Sequence, residues 1–149
     1  MSKELKVVST ILIQAPIQKV WEAMTESEYT RKYMFNCSVE TDWKPGSPVV
    51  WKMQHEGQEF IPVTGTLLAI DPGHSLTYTV IDPNVGMEDI PANYLHVTYE
   101  LSEEGGATRL TVTQDGYERA ANGEKRYQEA VDAGGWDSIL AVIKELLEK

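Results

Sequence analysis

Residues 136–149 read WDSILAVIKELLEK, and the spacing of their apolar side chains decides the fold class. These side chains recur three or four positions apart, at Trp136, Ile139, Leu140, Ile143, Leu146 and Leu147. The spacing predicts an amphipathic helix, with charged residues on its opposite side. Nearly everything upstream, apart from one short helical region, is predicted as β-strand, so the apolar face of this helix has only a sheet to pack against. We therefore expect a curved sheet that holds the helix and leaves a cavity between the two.

Six segments upstream have the composition or the alternation of β-strands. They are residues 5–13, 49–53, 63–70, 76–81, 94–101 and 109–113. Turn signals such as Pro45-Gly46 and Gly105-Gly106 separate the segments, and short links favour antiparallel neighbours. The strand at 63–70 is ambiguous, because both of its faces are apolar.

The last three predicted strands show which side chains share a face. One face carries Leu76, Tyr78, Val80, Leu95, Val97, Tyr99, Leu101, Leu110, Val112 and Gln114. Mostly threonines lie on the other face. We expect the apolar face to turn toward the terminal helix, because that face is the one that gains from burial.

Two short helices are predicted directly after the first strand. Apolar residues at 17, 20, 21 and 24 have helical spacing after Pro16, which suits a first helical turn. Thr25 and Glu28 fit a capping box that would begin a second helix. That helix would carry Tyr29 and Tyr33.

A further helical segment precedes Trp136, with Tyr127, Ala130 and Val131 on its apolar side. In one unbroken helix these side chains would lie nearly opposite the apolar face that begins at Trp136. Gly134-Gly135 stands between the two patterns. Either the helix breaks at the glycines, or the glycines allow a kink or a close approach to another element.

Composition limits the classes of partner. The chain has 149 residues, which is the size of one domain, and its 13 basic and 23 acidic residues give a net charge of −10. Such a charge repels nucleic acid and anionic membrane surfaces, so neither is predicted as a partner. The single cysteine, the absence of a signal-peptide pattern at the start and the absence of a long apolar run predict a cytoplasmic protein.

The residues that could support catalysis are few. His55, His74 and His96 stand on separate turns and strands without a close-spaced pair, so no metal site is predicted. Cys37 alternates with Val39 and is interpreted as a small buried side chain. No phosphate-binding glycine loop, nucleophile elbow or carboxylate pair is found, and no cofactor is predicted. This inventory favours binding over chemistry.

Several motifs resemble one known family in their order along the whole chain. They are residues 15–25 (APIQKVWEAMT), 65–72 (GTLLAIDP), 76–79 (LTYT), 106–113 (GATRLTVT), and 135–136 with 139–140. The chain is thereby similar to the activator-of-Hsp90-ATPase-homologue family of the START-like, or Bet v 1-like, superfamily. The resemblance implies one α+β helix-grip domain, with a curved antiparallel sheet, two short helices after the first strand and a long C-terminal helix. Relatives in that superfamily bind lipids, sterols, polyketides or plant hormones, and a minority are cyclases or hydrolases.

Three functional hypotheses follow, and the first is a non-enzymatic module that binds a small lipophilic or aromatic molecule in the cavity. The candidate lining residues are Trp51, Met53, His55, Tyr78, Val97, Tyr99, Gln114, Trp136 and Leu140. The alternative for this set is that the side chains simply fill the core. The second hypothesis is a chaperone-associated or stress-response interaction module, with a homodimer as one form of self-association. The third is an enzyme of the cyclase or hydrolase kind that uses a cavity tyrosine or histidine as acid or base.

Overall fold

A computed structural model describes residues 5–33, 37–84, 86 and 88–148, with the side chain of His55 outside that description. The described residues form seven strands and four α-helices. In chain order these are β1 (Lys6–Ile13), α1 (Ile17–Thr25), α2 (Ser27–Tyr33), β2 (Ser38–Glu40), β3 (Pro48–His55), β4 (Gln58–Asp71), β5 (Ser75–Val80), β6 (Leu95–Glu104), β7 (Ala107–Asp115), α3 (Gly123–Asp132) and α4 (Asp137–Leu147). A short 3₁₀ turn (Pro91–Asn93) precedes β6.

The strands form one sheet in the order β1-β7-β6-β5-β4-β3-β2, and every neighbouring pair is antiparallel. This confirms the α+β helix-grip class, with two short helices after β1. The predicted facing of β5, β6 and β7 is also confirmed, since Leu76, Tyr99 and Val112 are buried on the same side. The sheet therefore presents a continuous apolar inner face.

The structure of β4 explains why the sequence does not show which face of this strand is buried. A bulge between Leu67 and Ala69 shifts its register against β5. Leu67 is fully buried and Ile70 packs against the same core, while Leu68 between them is 45% exposed. An extra residue in one strand changes which later side chains face inward. Both faces are apolar in the sequence because the alternation of inward and outward side chains shifts by one residue at the bulge.

The C-terminal helical region is broken at the glycines and is not one long helix. Gly134 and Gly135 both have positive φ, +86° and +60°, between the end of α3 and the start of α4. A β-carbon on Gly135 would lie 2.7 Å from Val7 Cγ1 and 2.9 Å from Ser9 Oγ. The break is therefore the correct alternative, because both the backbone conformation and the close approach to β1 require glycine.

Helix α4 lies against β1 and the sheet core, where Leu140 and Ile143 are almost wholly buried. Its end is also tied to the edge of the sheet. Lys144 Nζ donates to the Leu12 carbonyl over 3.0 Å, and Glu148 accepts a hydrogen bond from the Gln14 amide over 2.8 Å. Lys144 and Glu148 form an ion pair with each other, which lowers the pKa of Glu148. These contacts cover backbone groups that an edge strand otherwise leaves open.

The capping box predicted at Thr25 is wrong. Thr25 is the last residue of α1, and its hydroxyl donates to the Trp21 carbonyl over 2.8 Å. Helix α2 begins two residues later, at Ser27. The threonine hydroxyl satisfies a carbonyl at the end of one helix and is not free to cap the next.

Candidate functional site

A cavity of about 270 Å³ lies on the inner face of the sheet, beside the residue that precedes α4. Its wall comes from five strands and two connecting segments. The lining residues are Cys37, Trp51, Met53, Pro62, Val63, Tyr78, Val80, Val97, Gln114 and Trp136. All but Gln114 are apolar or aromatic, which is the usual composition of a pocket for a small organic molecule.

The register of the sheet places three of these residues in one row. Val97 on β6 pairs with Tyr78 on β5 and with Gln114 on β7. Neighbouring strands lie about 4.8 Å apart, so Tyr78 and Gln114 flank Val97 with their Cα atoms about 10 Å from each other. Val97 therefore forms the floor of the cavity between one phenol and one amide.

Four aromatic rings in successive contact limit the cavity to one end of the space below α4. The ring centroids are 6.4 Å apart from Trp51 to Tyr78, 5.5 Å from Tyr78 to Tyr99 and 5.9 Å from Tyr99 to Trp136. Behind these rings, Tyr99 and Leu67 border a void of only about 10 Å³. The deep half of the space is thus a packed core, and the other half is open.

Hydrogen bonds orient the polar groups of the wall. Trp136 Nε1 donates to Gln114 Oε1 over 2.9 Å, and the Trp136 amide donates to Ser9 Oγ over 3.0 Å. The Tyr78 and Tyr99 hydroxyls lie 2.6 Å apart. Trp136 is therefore held from both its backbone and its ring, which fixes one wall of the cavity before α4 begins.

The lining residues that the structure describes carry no carboxylate, ammonium or guanidinium group. Burial raises the pKa of the Tyr78 and Tyr99 hydroxyls above the ordinary value, and burial also raises the pKa of the Cys37 thiol. The phenols and the thiol are accordingly neutral at neutral pH. A tyrosine acid or base of the kind the enzyme hypothesis requires gains no support from this environment, and Tyr99 does not reach the cavity.

Six of the nine predicted site residues line the cavity: Trp51, Met53, Tyr78, Val97, Gln114 and Trp136. Two do not. Tyr99 is 1% exposed and borders the small void instead, with its ring in edge-type contact with the rings of Tyr78 and Trp136. Leu140 is 1% exposed within the core. The ninth, His55, has its side chain outside the described residues.

Sequence reasoning missed Cys37, Pro62, Val63 and Val80 as lining residues. The alternation of β5 predicts Val80 on the same face as Tyr78, so this pattern was sufficient to identify Val80 as a lining residue. Pro62 and Val63 reach the cavity through an irregular register between Trp51 and Met53, where β4 has one extra residue. A proline tolerates such a position because it has no amide hydrogen to contribute to the ladder.

In residues 5–33, 37–84, 86 and 88–148 no three histidine, cysteine, aspartate or glutamate side chains group so that they could hold a metal ion. None of the four described α-helices has the length and apolar character needed to cross a membrane.

A curved antiparallel sheet of seven strands, packed against a C-terminal helix and with a cavity on its inner face, defines a START-like helix-grip domain. The chain belongs to the family described as activator of Hsp90 ATPase homolog 1-like protein, whose model matches residues 14–148. No match was found among the curated proteins.

Solved structures of bacterial proteins show the same fold. The structure of ChR145 from Cytophaga hutchinsonii is 33% identical, with a TM-score of 0.78 over 99% of this chain and 97% of that chain. CalU16 from Micromonospora echinospora is 20% identical, with a TM-score of 0.69 over 97% of this chain and 76% of that chain. A protein described as the Aha1 dimer from Colwellia psychrerythraea is 15% identical, with a TM-score of 0.69 over 97% of this chain and 96% of that chain.

Proposed function

We propose that the protein binds a small lipophilic or aromatic molecule in the cavity above Val97. The observation that carries the proposal is the open volume of about 270 Å³ with an apolar wall, beside a core that is otherwise closely packed. The volume is slightly below the roughly 300–1,000 Å³ of most ligand pockets. The occupant is accordingly the size of one or two fused rings, and the Met53 side chain can adapt to its shape.

The direct test is to fill the cavity with a side chain. In Val97→Phe, the phenyl ring occupies the space above the strand, and we expect affinity for 2-isopropylnaphthalene to fall at least about tenfold while the melting temperature is kept. Isothermal titration calorimetry measures the affinity, with native mass spectrometry to detect any molecule that copurifies. Val131→Phe is the matched control, because Val131 is 44% exposed on α3.

The result that would contradict this proposal is equal binding of the probe by wild-type protein and Val97→Phe. Loss of binding in Val131→Phe as well would point to a general effect of the added ring and not to the cavity.

A chaperone-associated role is the second candidate. Two observations favour it: the family is described by its activation of the Hsp90 ATPase, and the net charge of −10 would complement a basic surface on a partner. The expected result is stimulation of the ATPase of a bacterial Hsp90-type chaperone. Because this role uses the protein surface, Val97→Phe should stimulate as well as wild type. Absence of stimulation at saturating concentration would exclude the role.

Self-association as a homodimer is part of the same proposed interaction role. The protein from Colwellia psychrerythraea is described as a dimer, and it shares the fold at 15% identity. Sedimentation equilibrium of the present protein decides between a monomer and a dimer.

A further inference from the structure

The polar groups in the cavity wall differ in how much of their hydrogen-bonding capacity is used. Gln114 Oε1 already accepts a hydrogen bond from Trp136 Nε1. The Gln114 amide nitrogen has two hydrogens, and neither is donated to any described residue. Gln114 therefore lines the cavity with its oxygen already accepting one hydrogen bond and with both amide hydrogens available to a ligand.

The pair of buried tyrosines also makes a hydrogen-bond donor available to the cavity. Tyr78 and Tyr99 are 4% and 1% exposed, and among the described residues each hydroxyl is bonded only to the other. Only one of the two hydroxyl hydrogens can lie between the oxygens, so the other needs an acceptor elsewhere. Both tyrosines border the small void of about 10 Å³, and of the two only Tyr78 also lines the cavity. The arrangement without a buried unpaired hydrogen is the one in which Tyr99 donates to Tyr78 and Tyr78 donates to an occupant of the cavity.

The sheet register brings these two donors to the same occupant. Tyr78 and Gln114 lie on either side of Val97, in direct register on neighbouring strands. A flat molecule that rests on Val97 would have a phenol hydroxyl at one side and an amide NH₂ at the other. Both groups can donate a hydrogen bond to a molecule in this position.

Charge further limits the class of ligand that the cavity accepts. An ionised carboxylate loses its hydration in this cavity, and no cation among the described lining residues compensates for the loss. The net charge of −10 on the chain opposes an anion as well.

We propose that the cavity selects an uncharged ligand with a carbonyl or ether oxygen, and that Tyr78 and Gln114 determine this specificity, each by donating a hydrogen bond to a ligand oxygen on its own side of Val97. The inference rests on the proposed binding function and assigns the chemical class of the molecule that is bound.

The experiment compares three probes of one shape by isothermal titration calorimetry: 2-acetylnaphthalene, 2-isopropylnaphthalene and 2-naphthoate. In the wild-type protein the ketone should bind about tenfold more tightly than the hydrocarbon, since each neutral hydrogen bond contributes a factor of about two to ten. The carboxylate should bind more weakly than the ketone by at least about tenfold.

Substitutions at the two donors test which side chains cause the preference for the ketone over the hydrocarbon. In Tyr78→Phe and Gln114→Leu the advantage of the ketone over the hydrocarbon should decrease, and in the double variant it should disappear while affinity for the hydrocarbon stays within about twofold. Tyr117→Phe removes a buried hydroxyl outside the cavity, in a separate cluster with Val7 and Leu95, and should leave the preference unchanged. If Tyr78→Phe does not fold, Gln114→Glu serves instead, because it keeps an oxygen for Trp136 Nε1 and removes the donor.

The outcomes separate this inference from the proposed function. Equal affinity for ketone and hydrocarbon in the wild type, or a preference that persists in the double variant, overturns the assigned specificity and leaves the binding function in place. Failure of all three probes to bind overturns the binding function itself for ligands of this size.

Discussion

Gly65→Ala is expected to lower the free energy of unfolding by about 4 kcal/mol, measured by urea denaturation followed by circular dichroism. A β-carbon at Gly65 would lie 1.6 Å from the backbone oxygen of Thr79. That oxygen cannot move easily, because hydrogen bonds hold the two strands together on both sides of the contact. Thr64 and Ile81 exchange two backbone hydrogen bonds, and the Thr66 amide donates to Thr79 Oγ1. The substitution therefore requires β4 and β5 to separate where they line the sheet core.

Gly73→Ala is the matched control for this prediction. Gly73 lies in the turn between β4 and β5 with φ +82°, and nothing lies within 4 Å of an added β-carbon. Its substitution should cost only the strain of the positive φ, about 1 kcal/mol. Equal losses in the two variants would show that the close approach at Gly65 does not restrict the strand.

Leu140→Ala is expected to lower the free energy of unfolding by about 3–4 kcal/mol. The Leu140 side chain is 1% exposed and belongs to the cluster that joins α4 to the inner face of the sheet. Removing it leaves a void among the buried side chains of that cluster. Thermal and urea unfolding, both followed by circular dichroism, measure the loss.

The control on the same helix is Val142→Ala, since Val142 is 38% exposed. Its cost should stay within about 0.5 kcal/mol. If Leu140→Ala were no more destabilising than Val142→Ala, α4 would not be packed on the sheet in the manner described, and one wall of the cavity would lose its support.

The fold was predictable where hydrophobic periodicity was regular. Strict alternation in residues 76–81, 94–101 and 109–113 identified both the strands and their inner face. The prediction was poorer where the chain departs from regular pairing. Strand β2 has three residues, which is too short to show a period, and the capping box at Thr25 failed because the hydroxyl bonds backward along α1.

The candidate site was predictable to the same extent. Tyr78, Val97 and Gln114 follow from alternation alone, because each takes the inward position on a regular strand. Pro62 and Val63 depend on an irregular register that no pattern in the sequence announces. Tyr99 was assigned to the cavity because alternation reports the face of a strand and not the depth at which a neighbouring ring closes off the space.

The most direct measurement of the central claim is a methyl ¹H–¹³C NMR titration of the protein with 2-acetylnaphthalene. The account predicts chemical shift changes concentrated at the methyl groups of Val63, Val80 and Val97, which line the cavity. Exposed Val8 and Val131 should be unaffected. Changes confined to such exposed methyl groups, or no changes at saturating ligand, would contradict the claim that this cavity binds a small molecule.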